Sequence, residues 1–239
     1  MIFNEIKFTY LFHRSYVRIF RGGKCHIMRS AKIRNSKVFV HPGASLKIED
    51  NCIIENARIY VEKGCIILRE NSIVKGDKLH DTEIIINNGN ILMGDHSKLS
   101  CKRVWVRFGG KLEIGSYTNI NEGSEIRCDE KISIGSFNQI SYNVKIWDTN
   151  THNILPVENR RKIAIDKFPY FGYESSKPIT SPINIGDDCW IGENSTIFKG
   201  TKIGNECILG FGTFISGKTV PDHSIVVNET KLRIFPNEI

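Results

Sequence analysis

The feature that most constrains the fold of this chain is an aliphatic residue that recurs every six positions. Near the carboxyl end, the residues of this pattern are Ile185, Ile191, Ile197, Ile203, Leu209 and Ile215. A second run contains Ile114, Ile120 and Ile126, then Ile134, Ile140 and Ile146, and a looser version covers residues 48–99. A period of six fits neither a helix nor simple strand alternation. It predicts a coil of short strands joined by tight corners, with one aliphatic side chain of each strand pointing inward.

The composition favours strands and corners over helices. The 239 residues include 37 isoleucines but only ten leucines and four alanines, and glycine and asparagine number 20 each. Isoleucine favours strands, whereas glycine and asparagine favour turns. The composition therefore argues against a helical bundle and a disordered chain. The sequence contains no run of about 18 apolar residues, so no transmembrane helix is predicted.

Charge and cysteine content constrain the partners and the compartment. The net charge of +7 allows anionic ligands, but the basic residues are scattered and form no nucleic-acid-binding motif. The seven cysteines include no Cys-x-x-Cys pair, and Cys52, Cys65, Cys189 and Cys207 fall at the small position of the repeat, where we expect them to fill the core. The histidines suggest no metal site, and the first 20 residues do not resemble a signal peptide. We therefore expect no metal and a reducing, cytoplasmic location.

The repeat also resembles a known family. The segment from Ile185 to Gly204 reads IGDDCWIGENSTIFKGTKIG, and with its continuation over residues 217–226 it resembles the hexapeptide-repeat acyltransferases. The likeness is greatest to the O-acetyltransferases of capsule and lipopolysaccharide synthesis, with the maltose and galactoside acetyltransferases as relatives. The resemblance implies an all-β, left-handed parallel β-helix that uses acetyl-CoA to acetylate a sugar hydroxyl of a surface polysaccharide. It also implies a homotrimer whose active sites lie between subunits.

Three parts of the chain depart from the repeat. Residues 1–30 are expected to cap the coil, with a short amphipathic helix as one form and with peripheral membrane contact left open. Residues 31–227 are expected to form the β-helix, and residues 228–239 a polar tail. Between residues 147 and 182 the repeat stops, and prolines, charged residues and aromatic residues replace it. Because long loops are usually functional or disordered, and aromatic residues argue against disorder, we expect an arm that shapes the acceptor site.

The start of this arm resembles the Asp-x-x-x-His element of the family, with Asp148 and His152 at its two ends. The resemblance assigns His152 as the general base. A sugar hydroxyl becomes a good nucleophile when a base with a pKa near neutrality takes its proton. Asp148 is the candidate that orients the imidazole, and the alternative is that a backbone carbonyl orients it instead. The residues expected to border the acceptor are Tyr142, Asn143 and Asn150.

Four residues match donor-site positions of the family, and at the adenine end, where the chain departs from the family pattern, a fifth is a replacement candidate. Gly192, Gly210 and Thr213 match positions beside the pantetheine arm of coenzyme A. Lys218 matches a lysine that contacts its phosphates, and Lys231 is a replacement candidate for the adenine end. The alternative for the three small residues is a purely structural role at the corners.

Trp190 follows the small residue of its hexad, so its indole should point outward. Trp190 also resembles an aromatic position common in the sugar-acetylating branch of the family. We infer that the indole packs near His152 across a subunit contact, where it lines the thioester or donates its N–H. Trp190 is therefore a third candidate for the catalytic site.

Three other functions stay open from the sequence. The first is N-acetylation of a nucleotide-linked amino sugar, since an amine needs less activation than a hydroxyl. The second is a metal hydratase of the γ-carbonic anhydrase kind, which uses the same coil. The third is a non-catalytic scaffold, because a repeat by itself specifies a fold and not a substrate.

Overall fold

The chain folds into a β-solenoid of three parallel sheets, which it visits in turn. The computed structural model describes residues 6–12, 14–77, 80–169, 176–229 and 233. Each circuit adds one strand to each sheet, so that sheet 1 has ten strands and sheets 2 and 3 have nine each. The predicted all-β class is confirmed, and the architecture is consistent with the left-handed β-helix that the resemblance implies.

The strands, numbered along the chain, are β1 (Ile6–Phe12), β2 (Ser15–Phe20), β3 (Lys24–Ile27), β4 (Lys32–Arg34), β5 (Lys37–Val40), β6 (Ala44–Ile48), β7 (Ile53–Glu55), β8 (Ala57–Val61), β9 (Gly64–Leu68), β10 (Ile73–Lys75), β11 (Thr82–Ile86), β12 (Gly89–Met93), β13 (Lys98–Leu99), β14 (Arg103–Val106), β15 (Gly110–Ile114), β16 (Asn119–Ile120), β17 (Glu125–Cys128), β18 (Lys131–Ile134), β19 (Gln139–Ile140), β20 (Lys145–Trp147), β21 (Ile183–Ile185), β22 (Trp190–Ile191), β23 (Thr196–Phe198), β24 (Lys202–Ile203), β25 (Ile208–Leu209), β26 (Phe214–Ser216), β27 (Thr219–Val220) and β28 (Ile225–Val226). Sheet 1 contains β1, β2 and every third strand up to β26. Sheet 2 runs in the same way from β3 to β27, and sheet 3 from β4 to β28.

Three corners run along the solenoid where the chain passes from one sheet to the next. We call them corner 1–2, corner 2–3 and corner 3–1, after the sheets that they join. Because neighbouring strands are in parallel register, equivalent residues of successive coils stack in columns. Ile126, Ile146, Ile197 and Ile215, for example, form one column of sheet 1. A residue's column therefore decides which corner or face it shares with other residues.

The aliphatic positions of the repeat form the core. All six residues of the C-terminal run are at most 6% exposed. Burying one such side chain contributes roughly 1.5–3 kcal/mol. The small residues close the corners, as where the hydroxyl groups of Thr118 and Thr213 donate to the carbonyl oxygens of Gly135 and Gly210, both at 2.7 Å. Core packing and corner hydrogen bonds thus repeat from coil to coil.

Three of the four cysteines at the small position are buried as expected: Cys52, Cys189 and Cys207. Cys65 is not, because it lies on the outer face of β9, beside the buried Ile66, and is half-buried. Strand alternation, with a period of two, overrides the six-residue register at this position.

The N-terminal segment forms strands, and the expectation of a helix is wrong for the described residues 6–12 and 15–27. β1 and β2 pair antiparallel, whereas β2 pairs in parallel with β5 and β3 with β6. The coil therefore begins at Ser15 and not at residue 31. Side chains of β2 alternate between buried and half-buried, which is the period of a strand. The antiparallel β1 covers what would otherwise be an open end of sheet 1.

The arm between β20 and β21 leaves and rejoins the coil at corner 1–2. Its described residues include the helix α1 (Val157–Asp166), none of whose residues is buried. Within the part of the chain that the structure describes, no helix is long and apolar enough to cross a membrane. The coil itself continues past the arm in register, since β18 pairs with β21 and β20 with β23.

A column of glycines shows how closely the coils approach. Gly64, Gly89 and Gly110 are in register in sheet 2, at the first residues of β9, β12 and β15. The φ angles of Gly64 and Gly89 are +117° and +150°, values that residues with a side chain rarely adopt. A Cβ atom on either would collide with the carbonyl oxygen of the next glycine in the column. These two positions therefore require glycine.

We expect Gly89→Ala to destabilise the protein by about 3 kcal/mol or more, because the methyl group adds a backbone collision to the cost of a positive φ. Gly43→Ala is the matched control. Gly43 also has a positive φ, of +78°, but open space surrounds its Cβ position, so the expected cost is about 1–2 kcal/mol. Thermal unfolding monitored by circular dichroism measures both. Equal melting temperatures for the two variants would contradict the close approach of the coils.

Candidate active site

The root of the arm is fixed to the coil by backbone hydrogen bonds. The amide of Ser181 donates to the carbonyl oxygen of Asp148 at 2.9 Å, and the amide of Asn150 donates to that of Ile179 at 3.0 Å. Thr149 and Thr180 form an antiparallel bridge between these two contacts. The outgoing and returning segments thus form a short stem on corner 1–2.

His152 lies immediately beyond this stem, and its side chain is exposed. Its backbone amide donates to the carbonyl oxygen of Asn150 at 2.8 Å, so the chain turns tightly between the two residues. Asn150, predicted to border the acceptor, is therefore next to His152 in space as well as in sequence. The structure places an exposed imidazole at the entrance of the arm.

Asp148, predicted to orient His152, is fully buried below the stem. Its Oδ1 accepts a hydrogen bond from the amide of Asp129 at 2.8 Å, and its Oδ2 accepts one from the amide of Glu130 at 2.9 Å. Burial raises the pKa of Asp148 to about 6, although these backbone donors favour its charged form. Both oxygens already anchor the preceding coil, and a role toward His152 stays a prediction.

A buried ion pair lies beside Asp148. The guanidinium of Arg107 donates from Nε to Oδ1 of Asp129 at 2.8 Å and from Nη2 to Oδ2 at 2.6 Å. The hydroxyl of Thr149 donates to the same Oδ2 at 2.7 Å, which ties the arm's stem to the pair. Neither the repeat nor the family resemblance points to Arg107, Asp129 or Thr149. They lie 22 and 20 positions apart, so a search for a period of six does not align them.

The predicted donor residues separate into two groups. Trp190, Gly192 and Gly210 line a cavity of about 350 Å³ between the outer face of sheet 3 and corner 3–1, together with Ile208 and Phe211. The indole of Trp190 is 59% exposed. The cavity is largely apolar, apart from Ser141 and Glu193 at its border.

The two glycines of this cavity also lie close to the next coil. A Cβ atom on Gly192 would lie 2.8 Å from backbone atoms of Leu209 and Gly210, in the next coil. A Cβ atom on Gly210 would lie 2.9 Å from the side chain of Val227. Close packing of coils therefore accounts for Gly192, whatever the cavity binds, whereas the contact at Gly210 is with a side chain that is 64% exposed.

The remaining donor candidates lie elsewhere. Thr213 is fully buried, and its hydroxyl donates to Gly210 at 2.7 Å, so its side chain closes a corner from inside. Lys218 is exposed on corner 1–2, the corner that carries the arm, two coils beyond the stem. Lys231 lies outside the described residues.

Tyr142 and Asn143, predicted to border the acceptor, lie on corner 3–1. They line a cavity of about 410 Å³ with His80 and Lys102. In one chain, this corner and the corner that carries His152 are at opposite ends of the strands of sheet 1. A single chain therefore brings together His152, Asn150 and Asp148, but not the residues on corner 3–1.

Comparison with known proteins agrees with the repeat. Residues 182–216 match the family model described as the hexapeptide repeat of succinyl-transferase. The resemblance to the hexapeptide-repeat acyltransferases is confirmed. Among the described residues, no group of histidine, cysteine, aspartate or glutamate side chains is arranged to hold a metal ion.

Two curated relatives carry acetyltransferase names. The chain is 27% identical over 135 residues to the "Probable acetyltransferase Rv3034c" of Mycobacterium tuberculosis, which covers 56% of this chain and 38% of that protein. It is 25% identical over 143 residues to the "Putative lipopolysaccharide biosynthesis O-acetyl transferase WbbJ" of Escherichia coli, which covers 59% of this chain and 69% of that protein. The chain thus spans well under half the length of the first relative and about two thirds of the second.

A solved structure is also similar in outline. The crystal structure of the polySia-specific acetyltransferase NeuO is 18% identical, with a TM-score of 0.44, and the match covers 91% of this chain and 87% of that one. A similarity of this size carries no argument about chemistry.

The raised pKa of Asp148 predicts a pH dependence of stability. In the unfolded chain this carboxyl ionises near its ordinary value of 3.8, whereas in the folded protein it holds its proton up to about pH 6. The folded state therefore binds the extra proton between these values, and the contribution of Asp148 to stability falls as the pH rises through this window, by up to about 3 kcal/mol.

The measurement is the difference in melting temperature between the wild type and Asp148→Asn from pH 3.5 to pH 7. Asparagine does not titrate, so other carboxyl groups cancel in the difference. We expect the advantage of the wild type to fall between about pH 4 and pH 6 and to be flat outside that range. An advantage that grows with pH in that window would contradict the burial argument.

Proposed function

We propose that this protein is an acetyl-CoA-dependent O-acetyltransferase that acts on a sugar hydroxyl in surface-polysaccharide synthesis. The observation that carries the proposal is the position of His152, exposed at the root of an arm that is hydrogen-bonded to a hexapeptide coil. The name of the Escherichia coli relative, a putative lipopolysaccharide biosynthesis O-acetyl transferase, supports the choice of acceptor.

In this proposal His152 acts as the general base. Its neutral imidazole takes the proton of the acceptor hydroxyl as the oxygen attacks the carbonyl carbon of the thioester. The new C–O bond forms, the C–S bond breaks, and the imidazolium returns its proton to the departing sulfur of coenzyme A. Transfer is direct and involves no acyl-enzyme. The arm, with Asn150 beside His152, forms part of the acceptor site.

The cavity at Trp190 fits the donor. Its apolar walls, Trp190, Ile208 and Phe211, suit the extended and weakly polar pantetheine arm, and the exposed indole suits the thioester end. Lys218 supplies a flexible positive charge for a phosphate group.

The active site is completed by a second copy of the chain. His152 and Lys218 lie on corner 1–2, whereas Trp190 and its cavity lie at corner 3–1. A ring of three chains with parallel axes brings corner 1–2 of each protomer against corner 3–1 of the next. The column of Trp190, Ile208 and Ile225 on the outer face of sheet 3 is exposed and apolar, a surface of the kind that subunit contacts cover. We therefore propose a homotrimer with shared sites.

We expect His152→Ala to lower turnover at least a hundredfold while the dissociation constant for acetyl-CoA changes less than threefold, because the base is lost and the donor cavity is not. Release of the coenzyme A thiol measures turnover against a panel of oligosaccharides, nucleotide-linked amino sugars and water as acceptors, and calorimetry measures binding. His223→Ala, the matched control, replaces an exposed histidine whose Nδ1 lies 3.1 Å from Glu206, and it should leave both quantities unchanged.

Near-normal turnover of His152→Ala with sugar hydroxyls would contradict the proposal. Turnover with amino sugars that survives in this variant at high pH would favour N-acetylation instead, since a free amine needs no base. Failure of the wild type to bind acetyl-CoA would favour a scaffold.

Shared sites make a second prediction. His152→Ala and Trp190→Ala should each be nearly inactive alone. After the two proteins are mixed, unfolded and refolded together, about a quarter of the sites pair an intact His152 with an intact Trp190, so about a quarter of wild-type turnover should return. The two variants refolded separately and then mixed are the control. No recovery in mixed particles of trimeric mass would place both residues in one protomer's site.

A further inference from the structure

The residue that precedes His152 has an unusual backbone. Thr151 has a φ of +69°, in the left-handed region that β-branched residues avoid. Of the 15 non-glycine residues with positive φ in the described part of the chain, Thr151 is the only β-branched one. Such a conformation costs roughly 1–3 kcal/mol and persists when surrounding contacts enforce it. The conformation of Thr151 also sets where the next residue, His152, begins.

Every polar group of Thr151 has a partner in the surrounding structure. Its amide donates to the hydroxyl of Thr149 at 3.0 Å, and its carbonyl oxygen accepts from Nη2 of Arg107 at 3.4 Å. Its own hydroxyl accepts from Nη1 of Arg127 at 3.3 Å. Three contacts from three residues therefore fix the strained backbone.

Two of these contacts, from Thr149 and Arg107, belong to one buried column. Trp105, Arg127 and Trp147 are in register in sheet 1. The residues two positions after them therefore occupy equivalent positions at corner 1–2: Arg107, Asp129 and Thr149. The hydrogen bonds run from Arg107 to Asp129 and from Thr149 to Asp129. The column thus connects three coils to the root of the arm.

The placement of charge is specific to this corner. Among the described residues, the buried charged side chains are Arg107, Asp129 and Asp148, and all three lie at corner 1–2 beneath the arm. Taking charges out of water is costly, and apolar residues of similar volume usually give equal or greater stability. The other corners are closed by small residues and hydroxyl groups, without buried charge. Stability alone therefore does not account for an ion pair here.

The arginines are themselves held in place. The guanidinium of Arg107 lies over the indole of Trp105, 4.4 Å from its centroid, and that of Arg127 lies over Trp147 at 4.2 Å. Stacking on a ring restricts a guanidinium that would otherwise sample many rotamers. The stacking therefore restrains the two guanidinium groups that donate to Thr151.

We propose that Arg107, Asp129 and Thr149 are positioning residues that hold the Thr151–His152 backbone where the imidazole reaches the acceptor hydroxyl. This role rests on the proposed function of His152 as the base. A displacement of about 1 Å at a reacting group costs up to a hundredfold in rate. An imidazole that follows a strained residue beyond the stem needs this kind of support to keep such a distance.

Thr149→Val tests the column, with Thr149→Ser as the matched control. Valine keeps the shape but removes the hydroxyl that binds both the amide of Thr151 and Asp129, whereas serine keeps it. We expect Thr149→Val to lower kcat at least tenfold, with KM for acetyl-CoA within twofold of the wild type, because Thr149 is buried and does not line the donor cavity. Thr149→Ser should restore kcat to within threefold. Thiol release with the best acceptor of the panel, or with water, gives both constants.

Arg107→Lys is the second variant. Lysine keeps the charge beside Asp129, so the fold should survive, but it loses the forked contact and the bond to Thr151. We again expect kcat to fall at least tenfold at unchanged KM. A residue with a merely structural role would lower the melting temperature and the folded fraction, and would leave kcat per folded molecule unchanged.

Hydrogen exchange of the wild type tests the same contact without a substitution. The Thr151 amide should exchange at least about a hundredfold more slowly than an unprotected amide, because its hydrogen bond to the buried hydroxyl of Thr149 protects it from solvent. Exchange within tenfold of the unprotected rate would overturn the proposal, as would kcat within twofold of the wild type for both folded variants. If His152→Ala is inactive and these variants are not, only the positioning role fails. If His152→Ala is active, the proposed function fails first.

Discussion

The stacking of one coil on the next is the interaction on which the whole structure depends. Each inward isoleucine packs against the equivalent residue of the coils before and after it, and corner hydroxyl groups such as that of Thr118 donate hydrogen bonds to the next coil. Stability in such a solenoid is local and accumulates coil by coil. The same stacking converts positions distant in sequence into columns, and a column is the element from which this protein builds its candidate site. Arg107, Asp129 and Thr149 are neighbours for this reason alone.

The triangular cross-section also separates functions in space. Corner 1–2 carries the arm, the exposed imidazole and the buried charges, whereas the apolar cavity at Trp190 belongs to corner 3–1. One chain cannot fold these corners together, because the width of sheet 1 lies between them. In the proposed trimer, corner 3–1 of a neighbouring protomer lies against corner 1–2, so that each protomer contributes each of these corners to one site.

Much of this structure is readable in the sequence, and the exceptions have physical causes. The repeat predicts the strands, the buried isoleucines and the break at the arm, because six-residue spacing maps directly onto inward positions. It does not predict the N-terminal strands, since the apolar and basic residues of 15–20 fit a helical face as well as strand alternation, and pairing with β5 decides between them. It does not align Arg107 with Asp129 and Thr149 either, because coil length varies and only the register relates the three.

Asp148 illustrates a different limit. The sequence identifies it as one end of a motif, and the structure adds that both of its oxygens bind amides of the preceding coil. A carboxylate at that point in a motif has two possible duties, and only the contacts distinguish an anchor from an orienting group. The family resemblance identifies Asp148 as a residue of interest. The hydrogen bonds show that its carboxylate holds the amides of Asp129 and Glu130.

The arm's attachment has a consequence for how such proteins diversify. The outgoing and returning segments are bonded to each other at the stem, and the strands on both sides keep the register that they would have without an insertion. The register of the coils therefore does not depend on what lies beyond the stem. The segment can lengthen, shorten or be replaced while the coils beneath it stay the same. Under the proposed function, in which the arm forms part of the acceptor site, a change of the arm would change the acceptor while the packed core stays the same.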